Sequence, residues 1–574
     1  MQNPFEDFSE VFFAICKRVN TPYALGCWLR WKGRCFSDLS MPDPARYDNA
    51  NEFGQDYLCY SWASKAQLNL ENRDLAQVAL DGFTADESFN HETTLRIRSW
   101  YASGGTPHVE QLISQLQRKI ASILGPLDMS VVLNSCRFGN GATATLKRSH
   151  ARFDQKITTL PFSVSPGALN LGRAIVESDP AWMRAIIGAS LAGPCSLLPR
   201  CFEVLNYNVF DTVPKSLKTD RTIAKEPVLN GFLQQGVHVY LRERLKLTGT
   251  DLRDQGRNQR LAKRAQNEKL CTIDGKSASN SVTTALVELL LPIDWFLFLD
   301  SLRSKYTKLP NGEIHRNYMF SSMGNAFTFE LESLIFYAIL HVCSKGSRFA
   351  SVYGDDMITE QKYAQITIQT LELFGFRVNR EKTFTSGRFF ESCGKHYFDG
   401  FDVTPVYQKK SPRLNLAERI RAHNRLIRWA LRSGLDVGLD PVVLGACEIL
   451  TRDSPRKGSL FGPIGPESDD YFQVPYGRFR IVSGYVMLNT WRVVDRKAIN
   501  RNKGSYAYWL RLRKAELLST GGHMVDSYSA VERRSYDLDI ADDRPTDSLE
   551  LSKFSASQRF VMRKEKIPIN GIRV

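Results

Sequence analysis

Tyr353-Gly354-Asp355-Asp356 sets two adjacent carboxylates between two short β-prone runs, Phe349 to Val352 and Met357 to Thr359. A tight, Gly-containing turn between such runs predicts a β-hairpin with the two aspartates at its tip. Adjacent anions repel, and a fold tolerates them when a cation lies between. Mg²⁺ suits the pair, because this hard ion takes oxygen ligands, one or two carboxylates plus substrate phosphates, and keeps some of its waters. A plain solvated turn is the competing reading of the tetrapeptide alone. A third carboxylate weighs against it: Leu270-Cys271-Thr272-Ile273-Asp274 alternates as a strand and then meets Gly275. That places Asp274 at the strand's carboxyl end with Leu270 and Thr272 on its face. Two strands presenting Asp274 and Asp355/Asp356 at neighbouring ends could hold two Mg²⁺ ions roughly 3.5–4 Å apart, the arrangement that stabilises the attacking and leaving oxygens of phosphoryl transfer. Nucleotidyl transfer is the reaction this chemistry predicts.

Such a substrate needs cations for its phosphates. Lys215, Lys218, Arg221 and Lys225 fall in the Pro-bounded stretch Val213 to Pro227. Side chains three apart on an extended strand face opposite ways, so a twist or bend must gather them. A triphosphate and its leaving pyrophosphate require such a cluster, whereas a solvated basic loop would not use it. Phe138-Gly139-Asn140-Gly141 followed by Lys147, Arg148, Arg152 and Lys156 could bring backbone close to phosphates, or be a bland turn; it lacks the Gly-Lys-Ser/Thr of a Walker loop. Lys409 to Arg432 holds eight basic residues against the single acid Glu418. Leu416, Ile420, His423, Ile427 and Leu431 recur there at helical spacing, which predicts a helix that buries one stripe and offers Arg421, Arg425 and Arg428 to an RNA backbone. Cys393 and His396 do not make a zinc site by themselves, since four ligands are needed and no second pair follows at finger-like spacing.

Several blocks together resemble the RNA-directed RNA polymerases of the small single-stranded RNA phages, the replicase catalytic subunits. Asp274 to Ser281 resembles polymerase motif A, and Ser321-Ser322-Met323-Gly324-Asn325 through Phe327 to Ser333 resembles motif B. Tyr353 to Asp356 resembles motif C, and Val378 to Phe384 motif D. Glu391 to Tyr397 with Asp402 to Pro405 is similar to a phage-specific segment, and Val213 to Pro227 to motif F. The blocks keep the family's order and cover Cys136 to Pro405, about half of the chain. The resemblance implies an α+β right-hand polymerase: fingers from residues 1–205 and 206–265, a mainly antiparallel palm sheet within 266–405, and a thumb with the C-terminal region in 406–574. It implies that Asp274, Asp355 and Asp356 bind two Mg²⁺ ions, with Mn²⁺ or Ca²⁺ able to substitute, and that Lys382 protonates pyrophosphate. Lys215, Lys218 and Arg221 would hold the triphosphate, with Asn280, Asn325 and Thr328 as candidates to sense the ribose. Its implied partners are template and product RNA, ribonucleoside triphosphates, and bacterial elongation factors Tu and Ts with a small-subunit ribosomal protein.

The chain departs from the pattern twice. Phage replicases usually carry Asp where it has Asn280, and the wider viral pattern has Asn where it has Glu332. A reverse transcriptase shares the palm and a Tyr-x-Asp-Asp hairpin; Gly354 and the phage-like blocks favour an RNA product. A non-catalytic RNA-binding protein would explain the charge but leave the carboxylates idle.

The elements that position these residues belong to a chain of 574 residues, long enough for several cores. Its 43% hydrophobic and 24% charged residues are those of a folded protein. The net charge of +15 and pI near 9.2 favour an anionic partner, nucleic acid first. Eleven cysteines without regular spacing speak against a disulfide framework and for a reducing compartment. Acids at Glu6, Asp7 and Glu10 do not suit a signal peptide, and Ala285 to Leu299, broken by Glu288, Pro292 and Asp294, is too short to span a bilayer. The reading is an intracellular protein with no membrane partner, placed by the resemblance in the cytoplasm of the infected host. The last fifty residues, with Asp537, Asp539, Asp542, Asp543 and Asp547, read as a tail.

Overall fold

The computed structural model describes residues 3–68, 74–148, 151, 153–189, 201–432, 440–452, 460–464, 469, 471–474, 481–482, 485–495 and 558–568. The acidic C-terminal patch lies outside them. The chain forms two compact units, one of residues 19–175 with 198–409 and one of 1–18, 176–197 and 410–574.

In the first unit, helices α1 (Ala50–Ser64) and α2 (Leu75–Ser103) lead to the hairpin β1 (Asn208–Pro214) and β2 (Asp220–Lys225). Helices α3 (Val228–Lys246) and α4 (Gly256–Arg264) precede β3 (Leu270–Lys276), followed by β4 (Tyr306–Lys308) and β5 (Ile314–Arg316). Helix α5 (Thr328–Cys343) feeds the hairpin β6 (Ser351–Tyr353) and β7 (Asp356–Glu360), after which come β8 (Arg377–Val378), β9 (Phe389–Ser392), β10 (Lys395–Phe398) and β11 (Phe401–Asp402).

A four-stranded antiparallel sheet in the order β8-β3-β7-β6 carries the aspartates. Leu270, Cys271, Thr272 and Ile273 are buried in succession, the pattern of a strand covered on both faces. Leu270 and Ile358 pack on Leu261 and Ala262 of α4, on Ala265 just beyond it, and on Phe390 and Tyr397. Helix α5 is apolar nearly all round and buried from Leu331 to Leu340, as a central helix must be. A second sheet, β2-β1-β4-β5, pairs β1 and β4 in parallel, and β9-β10-β11 forms a third. The basic stretch read as extended is therefore a hairpin, with Lys215 and Lys218 in its loop and Arg221 and Lys225 on β2.

The N-terminal segment, silent in the sequence, buttresses these sheets. Phe53 and Tyr57 of α1 pack with Phe389, Phe398 and Val403. Glu87 of α2, buried, accepts the backbone N–H of Tyr318 at 2.6 Å and of Met319 at 3.0 Å and pairs with His315 at 3.0 Å. A carboxylate binding three donors fixes that loop more firmly than apolar contact would. The apolar run at 285–299 is split at Pro292 into helices Thr284–Leu290 and Ile293–Leu302, and no helix among the described residues is long and apolar enough to cross a membrane.

In the second unit the basic run forms the expected helix, Leu416–Arg432, which packs beside Pro441–Thr451 and buries Ile420 with Leu460 and Phe472. Its arginines are not a solvated face: Arg421 pairs with Glu418 at 2.8 Å and Arg428 with Asp469 at 3.0 Å. Burial lowers the Arg425 pKa, an effect Glu418 and Asp469 oppose. The helix therefore uses Arg421 and Arg428 within its own unit, beside a buried face of Ile420, Ala422, Leu426, Ile427 and Trp429.

Candidate active site

Asp274 and Asp356 are directly opposite residues of the β3–β7 pair. Opposite Cβ atoms of antiparallel strands lie about 4.5–5.5 Å apart, so both carboxylates leave the same face at the same level. Burial is the main force pushing Asp274 up to about 7, with Asp355 adding repulsion and Lys382 opposing it. Burial and then Asp355 push Asp356 up to about 6. Two carboxylates held at this cost despite Lys382 are a site that positive charge would stabilise further. The surroundings fix their geometry. Asn379 donates Nδ2 to Asp274 Oδ2 at 2.8 Å, Ser392 Oγ donates to Asp356 Oδ1 at 3.3 Å, and Asn258 Nδ2 donates to the Asp356 carbonyl at 3.1 Å.

Asp355 is exposed at the hairpin tip. The two-residue loop Gly354-Asp355 has positive φ at Gly354 alone, +60°, which makes it a type II′ turn. A Cβ at Gly354 would lie 2.3 Å from the Phe329 ring, and the Gly354 N–H donates to Ser333 Oγ at 3.0 Å. Backbone conformation and the close approach of α5 both require glycine here.

The donor set suits a hard divalent ion: oxygens only, paired, and destabilised by their own repulsion. Among the described residues no three His, Cys, Asp or Glu side chains form a closed metal cage. An ion that draws its other ligands from phosphate and water needs none.

Cations converge on the same face. Burial lowers the Lys215 pKa, Arg221 and Lys382 lower it further, and Asp355 and Asp274 oppose them, so the hairpin loop reaches the aspartates. Lys382 Nζ lies 3.6 Å from Glu391, which in turn holds His396 at 2.8 Å. Burial works against the Lys382 charge, but Glu391 and Asp274 outweigh it and hold its pKa above the ordinary lysine value. Lys382 is thus a fixed cation at neutral pH. Lys65, just beyond α1, lies 3.6 Å over the Tyr407 ring and is pushed down to about 8 by burial and by Lys382, Lys409 and Lys215, with Glu391 opposing. Lys65 lies in no motif and Lys409 only begins the basic run; the fold brings both here.

Other expected residues are used differently. Lys218 donates to the Leu39 carbonyl at 3.3 Å, and Lys225 pairs with Asp211 at 2.9 Å. Thr328, 3% exposed, donates its hydroxyl to the Ser322 carbonyl at 2.9 Å, and Asn325, 6% exposed, accepts the Phe327 N–H at 3.0 Å. Both shape the turn before α5, where a Cβ at Gly324 would lie 2.0 Å from the Ala224 carbonyl oxygen. The glycine loop 139–141 turns its carbonyls inward to Lys156 Nζ, at 2.5 Å each from Gly139 and Gly141, which is the opposite of a phosphate cradle. Glu332 lies buried beneath Asp355, accepts the Ser279 hydroxyl, and is pushed up to about 8 by burial and Asp355. Asn280, on the turn after β3, donates Nδ2 to Asp86 Oδ2 at 3.0 Å.

The RNA replicase beta-chain family model matches residues 37–556. The RNA-directed RNA polymerase beta chain of Enterobacteria phage fr is 38% identical over 367 residues, 63% of this chain and 65% of that one. That of Escherichia phage MS2 is 34% identical over 486 residues, 80% and 81% of the two chains. Among solved structures, the BmCPV RNA-dependent RNA polymerase at its elongation state aligns with a TM-score of 0.36 at 12% identity, over 62% of this chain and 33% of that one. With a family model that matches most of its length and relatives more than 30% identical, this chain belongs to the RNA replicase beta-chain family of RNA-directed RNA polymerases.

Proposed function

We propose that this chain copies RNA from an RNA template by two-metal nucleotidyl transfer at Asp274, Asp355 and Asp356, in a right-hand architecture. In that reading the β8-β3-β7-β6 sheet is the palm, the β1–β2 hairpin belongs to the fingers and the second unit supplies the thumb. The register of Asp274 against Asp356 carries it. Asp274, Asp356 and the exposed Asp355 would hold Mg²⁺, with Mn²⁺ or Ca²⁺ as stand-ins. When bound, the ions supply Lewis-acid charge at the attacking and leaving oxygens.

The chain's own residues supply the rest. Lys215, Arg221 and Lys65 face the triphosphate, where their positive charge offsets that of the substrate. The 3′-oxygen of the growing strand bonds to the α-phosphorus as the bond to the β-phosphate oxygen breaks and pyrophosphate leaves. Lys382, charged and anchored by Glu391, stabilises that leaving charge as a cation and is the residue that would protonate the pyrophosphate.

As a beta chain it acts within a complex. Template and product RNA and ribonucleoside triphosphates are its ligands, and elongation factors Tu and Ts with a ribosomal protein, in the host cytoplasm, are the partners that the phage resemblance suggests. Template-dependent incorporation tests the reading: ribonucleotides support it, deoxynucleotides alone would make the chain a reverse transcriptase, and neither would leave an RNA-binding protein.

A further inference from the structure

The sugar of an incoming nucleotide is joined directly to the α-phosphate, so it must lie against a segment that borders the aspartates. The turn after β3 is such a segment. A Cβ on Gly275 would lie 2.9 Å from Ala278 and 3.7 Å from the Asp355 Cβ, and Ser279 is tied to Glu332 beneath Asp355.

Asn280 on this turn is fastened from α2. Asn90 Nδ2 donates to the Asn280 carbonyl at 2.7 Å, and Asn280 Nδ2 donates to Asp86 Oδ2 at 3.0 Å. The other oxygen of Asp86, Oδ1, accepts from the Arg377 guanidinium, which also lies 4.7 Å from the centre of the Phe89 ring. Asp86 is 7% exposed, so the carboxylate that sets this order of partners is enclosed by protein. A carboxylate held by a guanidinium only accepts, and it forces the NH₂ of Asn280 inward. The amide oxygen Oδ1 of Asn280 then faces outward. It has no hydrogen-bond partner among the described residues, and it is not among the buried unpartnered atoms.

We propose that Asp86 is a positioning residue for sugar selection: by fixing the amide of Asn280 it leaves only an acceptor to meet the nucleotide's 2′-hydroxyl. The proposal rests on the polymerase reading above. An amide free to turn would present donor or acceptor alike, whereas a fixed acceptor rewards a hydroxyl and offers nothing to a deoxyribose.

The order of partners predicts an inversion. In Asp86→Asn, Arg377 can only donate, so it takes the single acceptor of the amide introduced at position 86. The NH₂ of that new amide then faces Asn280, whose own amide must turn and present its NH₂ outward. Adding Asn280→Asp restores the pattern, because the amide at position 86 donates to one oxygen of the carboxylate introduced at position 280 and the other oxygen faces the sugar.

The measurement is the ratio of kcat/KM for matched ATP and dATP, which is independent of the fraction of folded enzyme. We expect Asp86→Asn to lower the ratio about tenfold and the double variant to bring it back near wild type. An unaltered ratio in Asp86→Asn overturns the proposal. So does a ratio that falls and is not restored by the second change, which would assign Asp86 to packing with Arg377. Wild-type protein that incorporates no nucleotide would overturn the polymerase reading, and this proposal with it.

Discussion

Two regions of this chain are rich in basic residues and use them in opposite ways. In the helix Leu416–Arg432 the charges are dense along the sequence, yet Arg421 and Arg428 are ion-paired within their own unit. Around the aspartates Lys65, Lys215 and Lys382 come from three separated segments, and Lys65 and Lys215 form no ion pair within 4 Å among the described residues. Linear density measures how much charge the chain carries; the acids that fold beside it decide how much is left for a ligand. The Lys65 and Lys215 pKa values are lowered despite the acids nearby, a cost of gathering cations that a polyanion recovers on binding.

The comparison breaks first at the carboxylates. Asp274→Asn or Asp356→Asn should lower incorporation on the order of a thousandfold, with RNA affinity nearly unchanged. Turnover near that of wild type in either variant would separate the cation cluster from the chemistry.

Lys65→Met should raise KM for nucleoside triphosphate about tenfold at pH 7, while Lys65→Arg should retain most of the affinity. Because Lys65 titrates at about 8, with Lys382, Lys409, Lys215, Glu391 and Tyr407 around it, wild-type affinity should fall as pH rises through 8. The Met variant should lose that limb. A KM unmoved by Lys65→Met would confine the residue to stacking on Tyr407.

The aspartates give a stability test. Their folded values, about 7 and about 6, lie above the ordinary 3.8, so the stability they contribute is complete below pH 3.8 and is lost as pH rises through 6 to 7. A divalent ion binds the deprotonated pair and should therefore raise Tm more at pH 8 than at pH 5. Equal shifts at both pH values would move the metal elsewhere.

The smallest effect is expected on the basic helix. Changing Arg421, Arg425 and Arg428 together to Gln should lower Tm by a few degrees and alter the salt slope of RNA binding by less than about one. Three solvated phosphate ligands would instead change it by about three.

What the sequence determined by itself is local chemistry. Asp355 and Asp356 at a hairpin tip, a strand through Asp274 and the helix after Pro412 follow from short-range rules, a turn that needs glycine, a β-prone run and a period of 3.6, although the strand runs on to Lys276 and is buried in succession rather than alternately. The tertiary structure decided which of these groups meet and which are consumed. Asp274 and Asp356 become neighbours only through the β3–β7 register, across 82 residues of chain. Lys65, just beyond α1, approaches the aspartates and Asp86 of α2 holds Asn280 although neither segment carries a motif, while Thr328, Lys218 and the arginines after Pro412 are taken up by carbonyls and acids distant in sequence or hidden in the same turn. A hydrogen bond or ion pair depends on separation in space, and residue type and spacing along the chain do not encode which partner will fold within reach.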